Sequence, residues 1–398
     1  MKLSTGTLLA LTMFMEYFIW GSWYATMNLY METNLNSTGL QIGAAYSALA
    51  IATMISPFIV GMIADRFFAA QKIMGVLHLA GAVLLYLATK VTDNTLFYWV
   101  ILGYSILYMP TIALSNSIAF HQMSDPGKQF PWIRVFGTIG WIVAGIVIAR
   151  TGLEATSSIF IIAAGVSVAL GLFSFVLPDT PPTGGTGGSA AKALGTEAFV
   201  LFRDRPYLIF FIAAILVCIP LSFYYGFAAT FLGESGLAPV ADKMILGQVS
   251  EAIFIIAIPF LFYRIGVKNM LLLGMTAWIL RYICFAYGDG GEGQWLLYAG
   301  IILHGICYDF FFVTGYMYTE KKAGEKIKSA AQGLFTFATY GLGMFIGTWF
   351  SGYITGRFAT GDTHQWQQIW MVPAYIALAV LLYFILFFRE KKQIEQVS

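Results

Sequence analysis

Twelve apolar stretches, each long enough to cross a lipid bilayer, follow one another along this 398-residue chain and leave few folds open to it. A helical crossing of the hydrocarbon core takes about 20 mainly apolar residues. The stretches fall near residues 6–31, 40–63, 72–90, 96–120, 133–150, 155–177, 207–233, 243–263, 270–288, 295–318, 329–356 and 366–388. Within lipid every backbone N–H and C=O must be satisfied by the protein itself, so such stretches become helices. Pro57, Pro110, Pro220 and Pro259 lie inside them and are expected to kink the helices without ending them, because neighbouring helices and water re-satisfy the freed groups. With 59% hydrophobic and only 11% charged residues, the composition suits a chain whose solvent is the bilayer. The first stretch is too long for a signal h-region and lacks an A-x-A cleavage pattern, so it reads as the first span.

The charges that remain sort by side. Sixteen Lys and Arg residues, from Lys2 and Arg66 through Arg203, Arg264 and Lys321 to Lys392, fall in the segments that share a side with the termini, and only Lys90, Arg150, Lys243 and Arg357 fall on the other. Basic residues mark cytoplasmic loops, so a multi-pass membrane protein with both termini cytoplasmic is expected. A net charge of +2 with cations at helix ends leaves no clustered basic surface for nucleic acid. Cys218, Cys284 and Cys307 all lie in apolar runs, are odd in number and lack metal-ligand spacing. Neither a disulfide framework nor a metal site is therefore expected, and no cofactor.

The longest break, 178–206, opens with a run rich in Pro, Gly, Thr and Ser that cannot bury a core and reads as a flexible linker. It divides the chain into an N-terminal six-helix bundle (1–177), a cytoplasmic linker (178–206), a C-terminal six-helix bundle (207–390) and a short tail (391–398). The fifth span of each half is the glycine-rich one, with Gly137, Gly140 and Gly145 in the first and Gly341, Gly343 and Gly347 in the second. Small residues let helices approach closely. Two halves with corresponding features predict an all-α membrane protein of the major facilitator type, with twelve spans and a substrate held between the halves near the midplane.

Ionisable side chains inside a membrane are costly and generally face a cavity or a partner. Five stand within the spans: Glu16, Arg134, Glu251, Arg281 and Asp309, with His304 and Tyr308 just before the last. Gln248 and Glu251 share one helix face at i and i+3, as do Glu16, Trp20 and Trp23. An amide, carboxylates and flat aromatic surfaces suit a neutral polar solute with a planar ring, which stacks on aromatics while its hydroxyls donate to carboxylates. For Arg134 and Arg281 the competing reading is snorkelling or a structural ion pair, and His78 and His121 read as packing or helix-end residues.

Several motifs carry a resemblance. Gly61-Met62-Ile63-Ala64-Asp65-Arg66, followed by Lys72, resembles the loop signature between spans 2 and 3 of the major facilitator superfamily, although Phe68 stands where the pattern has Gly. Trp20-Gly21-Ser22-Trp23, Tyr108-Met109-Pro110-Thr111, Ile133-Arg134-Val135-Phe136-Gly137-Thr138-Ile139-Gly140, Gln248-Val249-Ser250-Glu251, Trp278-Ile279-Leu280-Arg281 and Asp309-Phe310-Phe311 follow in the order and spacing of the bacterial nucleoside:proton symporter family, which the chain resembles from the first span to the twelfth. The resemblance implies a nucleoside pocket built from Arg134, Thr138, Gln248, Glu251 and Asp309, and a gate at Asp65 and Arg66. Trp141, Tyr225, His304 and Tyr308 fall at further pocket positions where the family pattern has Phe, Asn, Tyr and Phe, and Ser222 stands where it has Gln. Proton-coupled nucleoside uptake by alternating access, in a carrier that works as a monomer, is the function implied, with a sugar or other nucleoside-like solute as the alternative.

Other classes fit less well. An ATP-driven pump needs a phosphate-cradling G-x-x-x-x-G-K-[ST] loop, which the chain lacks. An intramembrane aspartyl protease needs two carboxylates sharing a proton, but beside Tyr308-Asp309 the partner segment Gly341-Leu342-Gly343 is followed by Met344. No enzyme is expected. Charges scattered over spans 1, 5, 8 and 10 describe an occluded site better than a ring lining a channel. Only a group that alternates between charged and neutral can couple proton movement to substrate, which nominates Asp309, Glu251 and, more weakly, Glu16, with Asp309 favoured for the proton and Glu251 for substrate hydroxyls.

Overall fold

The computed structural model describes residues 4–59, 68–124, 126–182, 196–361 and 363–389. Apart from a two-residue antiparallel hairpin, β1 (Ala359–Thr360) with β2 (Thr363–His364), its regular structure is helical. In chain order the helices are α1 (Thr5–Trp23), α2 (Met27–Leu35), α3 (Gly39–Ile59), α4 (Ala70–Ala88), α5 (Asn94–Gln122), α6 (Pro126–Arg150), α7 (Ser158–Ser174), a 3-10 helix at Thr196–Arg203, α8 (Arg205–Glu234), α9 (Val240–Tyr287), α10 (Gln294–Tyr308), α11 (Thr314–Thr336), α12 (Met344–Arg357) and α13 (Trp366–Phe387). Wide π turns join α10 to α11 at Asp309–Val313 and α11 to α12 at Phe337–Gly343.

Among the described residues eight helical segments are each long and apolar enough to cross a bilayer unaided. Other crossings are built from pieces. The first expected span is broken between α1 and α2, because Tyr46 donates its hydroxyl to the Tyr24 carbonyl at 2.7 Å and so inserts a side chain into the helical ladder. Spans 8 and 9, expected as separate helices, are two helices that meet at a kink within Val240–Tyr287 and are labelled together as α9. Their connection is a turn at Gly266, whose φ of 78° is a left-handed conformation that glycine adopts without a Cβ clash. Gly324, at φ 63°, turns the chain in the same way inside α11, between spans 10 and 11. Pro110 and Pro220 stay within α5 and α8, as expected of membrane helices.

Each half has its own core. One cluster runs through Met13, Trp23, Tyr104, Tyr108 and Phe160, the other through Phe210, Tyr224, Trp278, Tyr282 and Trp370. Lipid tails are as apolar as leucine, so close packing has to supply much of what the hydrophobic effect supplies in water. The glycine-rich spans do this in the same way in both halves. A Cβ on Gly140 would meet the Phe14 carbonyl and one on Gly137 the Tyr17 ring, so α6 presses on α1; one on Gly343 or Gly347 would lie 2.8–2.9 Å from Cys218, so span 11 presses on α8. The fifth span packs on the first in each half.

The stretch expected as a linker is anchored where it is described. Thr180 accepts the Ala70 N–H, Gln71 and Gln122 hold Asp179, and beyond the undescribed residues Ala198 and Leu201 are buried in the C-terminal core. The halves meet along α3 and span 11, from Met54 against Gly341 to the end away from the start of α1. There Gly39 and Gly43 of α3 lie against Gly352, Gly356 and Thr348 of α12, with a Cβ on Gly39 2.6 Å from the Gly356 nitrogen. Thr230 donates to Glu32 at 2.9 Å, and Asn28 donates to Thr230 at 3.2 Å. The Glu154 carboxylate accepts the backbone N–H groups of Val240 (3.1 Å) and Ala241 (2.5 Å), capping α9 from the opposite half.

Candidate functional site

From the N-terminal half, α6 brings Arg134, Thr138 and Trp141 to one stripe, since i, i+4 and i+7 share a helix face. All three are half-buried. The Arg134 guanidinium lies 4.1 Å over the Tyr17 ring, an attraction that orients the cation without neutralising it. Trp141 packs edge-on against Trp20 (5.5 Å) and Tyr24 (6.3 Å).

From the C-terminal half, α9 places Gln248 and Glu251 on one face, as expected, and Gly247 and Gly305 seat α9 directly on α10. A cavity between the halves is lined by Tyr24, Trp141, Tyr224, Tyr225 and Gln248, among smaller and aliphatic neighbours that include Thr26 and Met244. Tyr225 spans the halves, its ring 5.7 Å from Tyr24 and 6.3 Å from His304. Glu251 lies within electrostatic range of Arg134 across the interface and of Asp309 within its own half. His304 is fully buried, stacks on Tyr224 at 5.0 Å, and holds Nε2 3.9 Å from Oε2 of Glu251. Tyr308 sits 5.5 Å from His304 and shares a short hydroxyl contact with Tyr340. Asp309 opens the π turn after α10, fully buried, and neither carboxylate oxygen has a hydrogen-bond partner among the described residues. An unpartnered buried carboxylate is expensive to keep, and binding a proton or a ligand relieves that cost.

Three expectations land elsewhere. Glu16 and Trp23 turn into the N-terminal bundle. Glu16 is fully buried between His78 Nε2 (2.9 Å) and Thr111 Oγ1 (2.6 Å), so His78 is a packing residue whose ring is satisfied by Glu16 and Ser167. Ser222 donates to its own helix at the Cys218 carbonyl (2.8 Å) and is buried against span 11, because the face of α8 that carries it is the one Gly347 presses on. Arg281 forms no ion pair among the described residues; it lies 3.5 Å over the Tyr224 ring and donates to Nδ1 of His304 at 2.8 Å. Asp65 and Arg66 lie outside the described residues. Sequence reasoning passed over Tyr17, Tyr24 and Tyr224; the first two stand one turn either side of Trp20 on a helix already holding an ionisable residue, which was the available signal.

This geometry has known counterparts. The chain matches the Nucleoside H+ symporter family over residues 1–393. It is 41% identical to the "Putative nucleoside transporter YegT" of Escherichia coli strain K12, covering 98% of this chain and 95% of that one. It is 36% identical to the "Xanthosine permease" of the same organism, covering 97% and 96%. Among solved structures, the nucleoside transporter NupG superposes with a TM-score of 0.90 at 33% identity, covering 98% of this chain and all of that one. A stripe of polar residues on α6 facing Gln248 and Glu251 across a seam between two six-helix halves is thus set in a family's frame over nearly its whole length: the chain belongs to the nucleoside:proton symporter family.

Proposed function

We propose that the protein takes up nucleosides across the bacterial inner membrane, driven by protons, by alternating access. The observation that carries this is the convergence, at the seam between two separately cored halves, of Arg134 and Trp141 from one side with Gln248, Glu251 and His304 from the other. The aromatic rings offer stacking faces to a planar base, and ribose hydroxyls have an amide and a carboxylate to meet. Arg134, Thr138, Trp141, Tyr225, Gln248, Glu251, His304, Tyr308 and Asp309 form the substrate site, and Asp309 takes the proton, with Glu251 and then Glu16 as its alternates.

The halves are residues 1–177 and 207–390, joined by 178–206 and followed by the tail 391–398; separate cores and the matching packing of span 5 on span 1 and span 11 on span 7 support that division. Both termini are cytoplasmic, as the Lys/Arg bias requires. The seam at Gly39–Gly356 and Glu154–Val240 is then external, and the conformation is sealed on the outside. One chain contains both halves of the site, so the unit of transport is the monomer.

The test is a thermal-shift panel on detergent-purified protein followed by uptake in cells. Uridine or adenosine should stabilise the protein more than free base or ribose, since a ligand stabilises as the logarithm of its saturation. Uptake should rise as external pH falls and stop with a protonophore. Stabilisation by a hexose or a free base but by no nucleoside sinks the assignment.

A further inference from the structure

Arg281 is fully buried in the membrane-spanning part of α9, yet it meets no carboxylate among the described residues. Its guanidinium is held by π faces, 3.5 Å over Tyr224 and 5.5 Å over Phe285, and by two hydrogen bonds from NH1, to His304 Nδ1 at 2.8 Å and to Cys307 Sγ at 3.5 Å. A guanidinium only donates. Nδ1 of His304 must therefore accept, which excludes the doubly protonated ring and places the proton of the neutral imidazole on Nε2.

That Nε2–H points away from Arg281, toward Glu251. It has no partner among the described residues, and the 3.9 Å to Oε2 is too long for a hydrogen bond. One oxygen atom can bridge that separation, accepting from Nε2–H at about 2.9 Å and donating to the carboxylate at about 2.7 Å, with a bent angle that a small widening of the gap relaxes. The spacing is held by backbone contact: a Cβ on Gly305 would lie 2.5 Å from the Glu251 nitrogen, and one on Gly247 3.3 Å from the His304 Cβ. Tyr224 stacked at 5.0 Å and Tyr308 at 5.5 Å limit the imidazole's swing.

We propose that Arg281 is a positioning residue for recognition: it locks His304 as the Nε2–H donor, so that His304 and Glu251 form a donor–acceptor pair that clasps one hydroxyl group of the substrate. On the nucleoside reading above, from which this follows, that group is a ribose hydroxyl. A hydroxyl satisfies both partners at once. A deoxy position satisfies neither, and an O-methyl group accepts but cannot donate.

Two measurements on the unaltered protein test this. The chain has four histidines, so ¹⁵N-histidine labelling gives few ring signals, and His304→Phe assigns the one in question. We expect Nε2 protonated and Nδ1 bare; the opposite tautomer, or a doubly protonated ring, overturns the proposal. In binding assays with uridine and its 2′-deoxy, 3′-deoxy and O-methyl analogues, we expect a loss of roughly tenfold or more at one of the two positions, the scale of one hydrogen-bonded hydroxyl. Arg281→Met should lower that discrimination to about twofold or less and mix the tautomers, and Arg281→Lys, which keeps a donor, should restore part of both. Should Arg281→Met fail to fold, the two wild-type measurements decide alone. Equal affinity for uridine and both deoxy analogues overturns the clasp and leaves the nucleoside assignment standing. Failure to bind any nucleoside, with the expected tautomer present, overturns that assignment and the ribose clasp built on it.

Discussion

The two halves treat buried charge in opposite ways. In the N-terminal half Glu16 is met on each side: His78 and Thr111 take its oxygens, and Ser167 takes the other nitrogen of His78. In the C-terminal half Asp309 has both oxygens without a partner among the described residues, Arg281 has two idle nitrogens, and His304 has an idle Nε2. Burial is the same, since Glu16, Arg281, His304 and Asp309 are all 0% exposed. A satisfied network has no reason to change during a cycle, whereas an unsatisfied one is incomplete until something binds. The network of Glu16 is thus complete, while the fully buried charges of the second half keep atoms with no partner among the described residues.

The sharpest way to break this contrast is at the carboxylates. Asp309→Asn should end concentrative uptake, leaving substrate no further than equilibrium, because a carboxamide of the same shape cannot be alternately charged and neutral; exchange of labelled for unlabelled substrate should survive. Glu251→Gln should lose binding as well as accumulation. Normal pH-dependent accumulation in both variants removes this mechanism and turns attention to Glu16. Glu16→Ala should cost stability instead, about 3–5 kcal/mol for a buried pair stripped of one partner, read as a drop in melting temperature while the protein that survives stays proton-coupled. A well-folded Glu16→Ala or Glu16→Gln that has lost coupling would dissolve the contrast between the halves.

Arg134 tests whether a cation facing the seam belongs to the site. Arg134→Ala should cut uptake by roughly tenfold or more, and Lys should replace it only in part, since it lacks the planar fork of donors and the ring stacking; parental rates in both variants, at normal expression, make Arg134 a packing residue. The smallest effect belongs outside the membrane. Burial opposes charge on His364, but the hydrogen bond and the charge of Glu234, 2.8 Å away, lift its pKa above the ordinary 6.5. The stabilisation this pair gives the β1–β2 hairpin is fully present below 6.5 and fades as pH climbs through the raised value. Hydrogen exchange at 359–366 should therefore quicken, once corrected for intrinsic rate, between mildly acid and alkaline pH; a flat corrected profile rejects the claim.

How much of this was legible in the sequence differs by level. The order of spans and the six-plus-six division are one-dimensional, set by hydropathy and by the break at 178–206, and reading along the chain finds them. The two helices at spans 8 and 9 were legible as well, but not the tightness of their connection, because a single left-handed residue at Gly266 looks in sequence like any short loop. Helical spacing correctly grouped Gln248 with Glu251, but it could not say which way a face turns. When both sides of a helix are apolar, Glu16 and Ser222 read as facing the cavity, whereas contacts with α4 and span 11 turn them elsewhere. The pairing of Glu16 with His78, 62 residues apart, and the donation from Arg281 to His304 are choices of partner that only the packed helices make.

The seam between α3 and α12 has a consequence for energy conservation. A carrier that spends a proton gradient must not leak protons, and a proton needs only a thread of water to escape. At Gly39, Gly43, Gly352 and Gly356 the barrier is main chain against main chain, with a Cβ on Gly352 2.5 Å from the Gly39 carbonyl oxygen and one on Gly43 colliding with the Thr348 carbonyl. Contacts this close leave no room for a hydrating molecule and no side chain to swing aside. The closure works as a gasket, watertight because nothing protrudes from it, and one added methyl group would hold it ajar.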